Sequence, residues 1–387
     1  MLLLARLYTP GDFGIFGALM SVSIVISAIA CGRYELAIML PEKDDDAWLI
    51  ALLSIIILSC TCLLSVLLLF LFNDQIVMTL DLENNAGLLY LVPFLIFLLG
   101  AYNIFNYICT REKKFKVLAE SIISKSLSGA LSQIILSYFI SGAGLVVGYC
   151  ISVLVSLYSL VRHLSIGSLR LAAKTKGLSR VAKRYINFPQ FSLFAALFSS
   201  LSSHSLTVMI PFFYGLEAGG FYFLIQRVLG IPSSIIGGAI GQSYFQRAVE
   251  EKNLTGYAVE TFNFASLALI LISLCFFIPI YIILPLAIEL FFGVDWIPAV
   301  AMGEILLPLV AMQFISAALS NTNNIFEKQK LALIWQFGMF MITFLSLILS
   351  FYYGLSFLGF LSIYAKVGAA YYLFLFFILK AVAVGRL

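Results

Sequence analysis

Three cations stand inside long apolar runs of this chain: Lys125, Arg227 and Lys366. Lys366 falls near the middle of its run. A charge at membrane depth costs roughly 2.5–3.5 kcal/mol on insertion scales, so such residues face a cavity or a partner rather than lipid. A fixed cation in a dry place is suited to holding an anion by charge-assisted hydrogen bonds. Arg33 is shallower, and there snorkelling to headgroups is an equal explanation. Glu35 lies two residues on. On a helix the two would not share a face, so at least one must look elsewhere. Glu35, Glu120 and Glu304 add acids in or beside these runs, and Gln226 adds a neutral polar group beside Arg227.

The elements that must position these residues are helices. Glu120, Ser124, Ser128 and Ser132 recur every fourth residue, with Lys125 alongside, and so mark one helix face. Ser199, Ser203 and Thr207 mark a second. Tyr222, Gln226 and Arg227, leading to Pro232, Ser233 and Ser234, mark a third. Polar faces on several helices imply a hydrated cavity. The alternative is hydrogen-bond glue, since Ser and Thr are common at packed membrane-helix interfaces.

Composition fixes the solvent. Of 387 residues, 62% are hydrophobic and 11% charged, and the mean hydropathy is +1.06. That polar surface is too small to cover a soluble globule. Long continuous apolar runs exclude a β-barrel, whose strands would alternate. The class is an all-α polytopic membrane protein in a lipid bilayer. The net charge of +4 is clustered in loops, and so speaks to topology rather than to nucleic acid. The six cysteines all lie in apolar runs and read as small buried hydrophobes. No Walker A, G-x-S-x-G, metal-ligand helix or nucleotide fingerprint is present, so a transporter outranks an intramembrane enzyme. No cofactor is implied, although proton or sodium coupling would suit the acids.

Dividing the runs at charges, Pro and Gly gives eleven spans: about 12–39, 46–72, 87–109, 116–140, 143–163, 190–213, 219–246, 260–284, 298–320, 331–353 and 356–380. Alternate loops carry nearly all of the Lys and Arg, including Arg111, Lys113, Lys114, Arg170, Lys174, Lys176 and the tail residue Arg386. The other set carries Asp74, Asp81, Glu217, Glu289 and Asp295. The positive-inside rule makes the first set, and the C-terminus, cytoplasmic. The basic stretch 164–189 reads as a linker lying on anionic headgroups.

An internal repeat divides the chain. Tyr8, Gly14 and Phe16 recur as Tyr214, Gly220 and Tyr222, 206 residues on; Pro93, Asn106, Glu112 and Lys113 recur as Pro308, Asn321, Glu327 and Lys328, 215 residues on. The reading is an N-terminal lobe at 1–163, the linker at 164–189 and a C-terminal lobe at 190–387. The second lobe has six spans and the first has five plus a remnant, so the first is expected to lack its opening helix.

Leu4-Ala5-Arg6-Leu7-Tyr8-Thr9-Pro10-Gly11-Asp12-Phe13-Gly14 and Gly32-Arg33-Tyr34-Glu35-Leu36-Ala37-Ile38 resemble segments of bacterial polysaccharide (O-antigen type) flippases. So do Phe221–Pro232, Phe291-Phe292-Gly293 with Trp296, and Glu327-Lys328-Gln329-Lys330. The resemblance covers nearly the whole chain and departs from the family at the start, where most of the first helix is missing. It implies the multidrug-exporter-like (MATE-like) fold of the MOP exporter superfamily, with two lobes, in the bacterial inner membrane. The implied substrate is an undecaprenyl-pyrophosphate-linked oligosaccharide, with a polysaccharide polymerase and a chain-length regulator as further partners. On that basis Arg33, Lys125, Arg227 and Lys366 would meet the pyrophosphate. A multidrug or cation antiporter of the same fold is the nearer rival, although it would favour acidic rather than basic deep charges. An inactive truncated paralogue is the other alternative. A polymerase would carry a large outer loop, and none exceeds about 15 residues here.

Overall fold

The first turns of the chain show how local chemistry sets the helix boundaries. Leu2–Leu7 (α1) is a short helix. Thr9 then caps Pro10–Ala30 (α2): its side chain accepts from the Asp12 N–H, the Asp12 carboxylate accepts from the Thr9 N–H at 2.9 Å, and Pro10 supplies a preset φ. The helix stops at Ala30 because Gly32 and Arg33 both turn left-handed, at φ 61° and 60°. A tight 3-10 turn, Tyr34–Met39, follows. The continuous helix expected over 12–39 is therefore broken. The hydrophobicity of 34–39 serves a buried turn, with Ala37 and Ile38 fully enclosed.

The computed structural model describes residues 2–79, 83–140, 142–164 and 177–385, and its regular elements there are helical. They continue as Asp44–Thr79 (α3), Leu91–Arg111 (α4), Phe115–Ser137 (α5), Ala143–Val161 (α6), Leu178–Arg184 (α7) and Leu193–Tyr214 (α8). Then come Leu216–Thr255 (α9), Val259–Phe291 (α10), Pro298–Leu319 (α11), Thr322–Ile325 (α12), Gln329–Tyr352 (α13) and Phe357–Ala383 (α14). Ten helical segments among the described residues are long and apolar enough to cross a membrane, and their outward faces are apolar, as at Phe70 and Ile282. A surface of that kind needs lipid. The protein is a multi-pass membrane protein.

The eleventh expected span, 116–140, forms the 23-residue α5, roughly 34 Å long at 1.5 Å per residue. Its charges Lys116, Glu120 and Lys125 and its serines make it too polar to count with the ten by composition. It packs along α6 instead of meeting lipid all round. Gly129 lies against Ser152, and Gly148 against the backbone of Gln133.

Contacts divide the chain into two compact units, Leu3–Gly219 and Gly220–Leu387, with α9 starting in the first and running through the second. In the first, α2 packs on α4 and α8, and α4 on α3 and α6, around Phe13, Leu58, Leu95, Ile96 and Ile104. In the second, α11 packs on α10 and α14, around Phe262, Trp296 and Phe360. The sequence repeat would group α8 with the second half, whereas its packing partner in this structure is α2.

The repeat itself has a backbone signature. After α4, the Lys114 N–H bonds the Cys109 carbonyl at 2.9 Å and the Lys113 N–H bonds Thr110 at 3.0 Å, with Lys113 left-handed at φ 57°. After α12, the Lys328 N–H bonds Asn323 at 2.7 Å and the Glu327 N–H bonds Asn324 at 3.4 Å, with Glu327 at φ 58°. Both turns are Schellman caps, and both place a non-glycine where glycine is usual. The turns superpose with Lys113 on Glu327 and Lys114 on Lys328, a separation of 214. Matching the letters Glu-Lys to Glu-Lys gave 215, one residue out. The earlier register of 206 agrees with the starts of α2 and α9 at Pro10 and Leu216.

The basic stretch is only partly described, since Arg170, Lys174 and Lys176 lie outside the described residues, as do Asp81 and Arg386. Its end forms α7, which packs on the start of α3. Arg180 there pairs with Asp46, and the Tyr34 hydroxyl donates to the Ala182 carbonyl at 3.0 Å. Helix α7 is docked on protein.

Candidate functional site

Lys125 sits half-buried on α5, and its Nζ lies over two aromatic faces. The Tyr102 ring of α4 is 5.0 Å away and the Tyr149 ring of α6 is 5.5 Å away. Phe16 of α2 meets Tyr149 edge-on with ring centroids 6.0 Å apart. Four helices of one unit thus build a single site. Among the described residues, Nζ has no ion pair and no hydrogen bond. Each such cation–π contact is worth about 0.5–2 kcal/mol, and neither uses the N–H donors as a hydrogen-bond acceptor would. The ammonium therefore keeps hydrogen-bonding capacity for an anion.

The serines beside it behave differently. Ser128 donates to the Ser124 carbonyl at 2.6 Å, Ser124 to Ser121, and Ser132 to the Gly148 carbonyl of α6 at 3.0 Å. Their hydroxyls are spent on backbone, which is the helix-glue reading of that face. Glu120 is also engaged at the end of α5, 3.5 Å from Arg162 and 3.9 Å from His163.

Arg33 and Glu35 do meet, because the chain is not helical there. The left-handed Arg33 and the 3-10 turn bring Arg33 Nη1 to 3.5 Å from Glu35 Oε1. The helix-face argument against their pairing fails for that reason. Burial pushes the Glu35 carboxyl above its ordinary range, opposed by a backbone hydrogen bond and by Arg33.

In the second unit, Arg227 is half-buried on α9 with its guanidinium 5.1 Å over the Phe223 ring one turn back. Gln226 donates to the Tyr222 hydroxyl at 2.6 Å. The same helix then borders a groove of about 360 Å³ whose lining includes Gly230, Ser233, Ser234, Gln313, Phe314 and Asn321. Glu304 is half-buried on α11, and Lys366 is exposed on α14. Tyr102 and Tyr149 were not singled out in the sequence. Aromatics make up 15% of the chain, so two tyrosines in apolar runs carry no signal until the fold places them around a cation.

A family model described as polysaccharide biosynthesis protein matches residues 3–301. Among solved structures the chain is similar to the lipid II flippase MurJ in an inward closed conformation. The TM-score is 0.78 at 14% identity, covering 98% of this chain and 84% of that one. It is also similar to MATE in complex with MaD3S, with TM-score 0.55 and 13% identity, covering 99% of this chain and 88% of that one. No curated protein matches the chain. The expected MATE-like fold is therefore the observed one.

Proposed function

Since the chain belongs to the polysaccharide biosynthesis protein family, we propose that it is a flippase for lipid-linked oligosaccharides. It carries undecaprenyl-pyrophosphate-linked repeat units across the bacterial inner membrane by alternating access, with its basic loops and C-terminus cytoplasmic. The units feed O-antigen, capsule or exopolysaccharide assembly, alongside a polymerase and a chain-length regulator. The chain is a transporter and catalyses no bond change.

The observation that carries this reading is Lys125, unpaired among the described residues and held by two tyrosine faces inside a membrane bundle. A pyrophosphate must shed water to cross, and a preplaced cation offsets that cost. A cationic drug would be repelled by the same group, which places the antiporter reading second. Arg33 acts at the entry, and Arg227 and Lys366 serve the second unit. Glu35, Glu120 and Glu304 are the groups available to a coupling proton or sodium ion.

Substituting Arg33, Arg227 and Lys366 singly by Gln, in cells lacking the chromosomal gene, tests the cation assignment. The expected result is a drop of about tenfold in surface polysaccharide for Arg227→Gln, about 1.4 kcal/mol and so the low end for a contact to a charged group, because its guanidinium already lies over the Phe223 ring, and smaller drops for the other two. Normal polysaccharide from all three, at normal protein levels, would remove them from the substrate path.

A further inference from the structure

The turn after α2 holds a buried ion pair that is only half made. Glu35 is 5% exposed, and Arg33 is 25% exposed. Their one contact, Nη1 to Oε1 at 3.5 Å, is long for a charge-assisted bond, which usually measures about 2.7–2.9 Å. A bidentate pair would use a second donor and the second oxygen. Here Arg33 Nε and Glu35 Oε2 are both buried with no hydrogen-bond partner. Arg33 Nη1 also reaches the Ala28 carbonyl at 3.4 Å. The backbone is set in an uncommon state to produce this, since Arg33 is a non-glycine residue at φ 60° following Gly32 at φ 61°. A buried carboxylate oxygen left unpaired is costly, and neutralising it is the cheapest remedy.

Few groups compete for it. On the same turn are Arg33, Cys31 and Tyr34, whose hydroxyl is spent on Ala182. From α4 come Tyr107 and Arg111. The Arg111 guanidinium is held by Asp44 and by the Ile38 carbonyl. From the start of α3 come Asp44 and Asp46, paired with Arg111 and Arg180, and, further along, Cys62 beside Cys31. Glu42, Lys43 and Asp45 are exposed. The turn Phe188–Ser192 also packs here and brings no titratable side chain.

We propose that Glu35 is a proton-binding latch: a proton taken on Oε2 dissolves the pair and frees Arg33 for the anionic head of the substrate. The O–H bond formed on Oε2 replaces one broken in hydronium, which leaves as water. Deprotonation re-forms the pair and withdraws Arg33, so the latch regulates the entry contact named above and rests on that reading. The burial that favours a neutral Glu35 works in the same direction.

The test uses the full chain in vesicles, with polyprenyl-pyrophosphate-linked oligosaccharide as the probe, and has an infrared arm that needs no transport. Translocation by the unsubstituted protein is expected to rise about fivefold to tenfold as pH falls through the Glu35 titration. Glu35→Gln, which fixes the neutral form, is expected to run flat at the acid-limb rate. Arg33→Gln is expected to run flat and slow. In infrared difference spectra a protonated-carboxyl band is expected to titrate in the unsubstituted protein and to vanish in Glu35→Gln. The latch is overturned if Glu35→Gln keeps the original pH profile, or if no carboxyl band is lost. Should Glu35→Gln not fold, a pH profile in Arg33→Gln like that of the unsubstituted protein overturns it equally. If the unsubstituted protein moves no lipid-linked sugar, the flippase reading fails, and the infrared band still decides the proton site.

Discussion

Replacing Lys125 by glutamine is expected to slow translocation of a pyrophosphate-linked sugar by roughly 30- to 100-fold, while leaving the protein folded. The reasoning starts from what Lys125 lacks. Its Nζ has Tyr102 and Tyr149 as neighbours and no carboxylate among the described residues. Losing two cation–π contacts costs the fold about 1–4 kcal/mol, and removing a buried charge returns much of that. Losing a charge-assisted hydrogen bond to phosphate costs binding about 2–2.7 kcal/mol, which converts to the stated factor. Lys125→Arg keeps the charge and should lose less than tenfold. Vesicle flux, read beside thermal unfolding in detergent, separates the two effects. A Lys125→Gln protein with unchanged flux would show that the cation belongs to the fold.

The second large effect is structural. Gly148→Val is expected to destabilise the first unit by about 3 kcal/mol or more and to deplete the protein from membranes. A Cβ at Gly148 would stand 2.6 Å from Gln133 Cγ, 2.9 Å from its N and 3.0 Å from its Cα. Backbone cannot yield as a side chain can, so α5 and α6 must part. Gln133 is also where the Tyr8 hydroxyl donates, at 2.7 Å to its carbonyl, and its side chain donates to the Leu145 carbonyl at 3.0 Å. Opening that seam loses the Gln133–Leu145 bond, and it moves Lys125 relative to Tyr149. Gly238→Ala is the matched control, because a Cβ there meets nothing within 4 Å. It should leave stability unchanged or raise it by up to about 1 kcal/mol through helix propensity. Membrane protein levels and unfolding temperature report both.

The sequence made the helices, their lipid solvent and the twofold repeat readable, because each is written in long patterns. Apolar length marks a span whatever its neighbours are. Lys125 was readable as a functional candidate by the same logic, since a charge inside such a run is anomalous. What surrounds it was not readable. Tyr102, Lys125 and Tyr149 come from three helices, and only packing shows that their side chains converge. The pairing of Arg33 with Glu35 was hidden for the opposite reason. Their neighbours are hydrophobic enough to pass for helix, and two left-handed residues, Gly32 and Arg33, change the geometry completely. The serines of α5 show the limit of a polar stripe as evidence, since hydroxyls bonded to carbonyls of α5 itself or of α6 give the same letters as hydroxyls lining water. The one-residue slip in the second repeat has a similar origin: a cap geometry is kept by the backbone, and two unlike side chains, Lys113 and Glu327, can occupy it.

The central claim is that this chain carries an anionic, lipid-linked sugar, and one measurement meets it directly. The purified protein, reconstituted in vesicles, is offered a polyprenyl-pyrophosphate-linked oligosaccharide and, in parallel, a cationic dye. The account predicts protein-dependent movement of the lipid-linked sugar, lost in Lys125→Gln, and no protein-dependent movement of the dye. Transport of the dye, with the sugar left on its original leaflet, would contradict it.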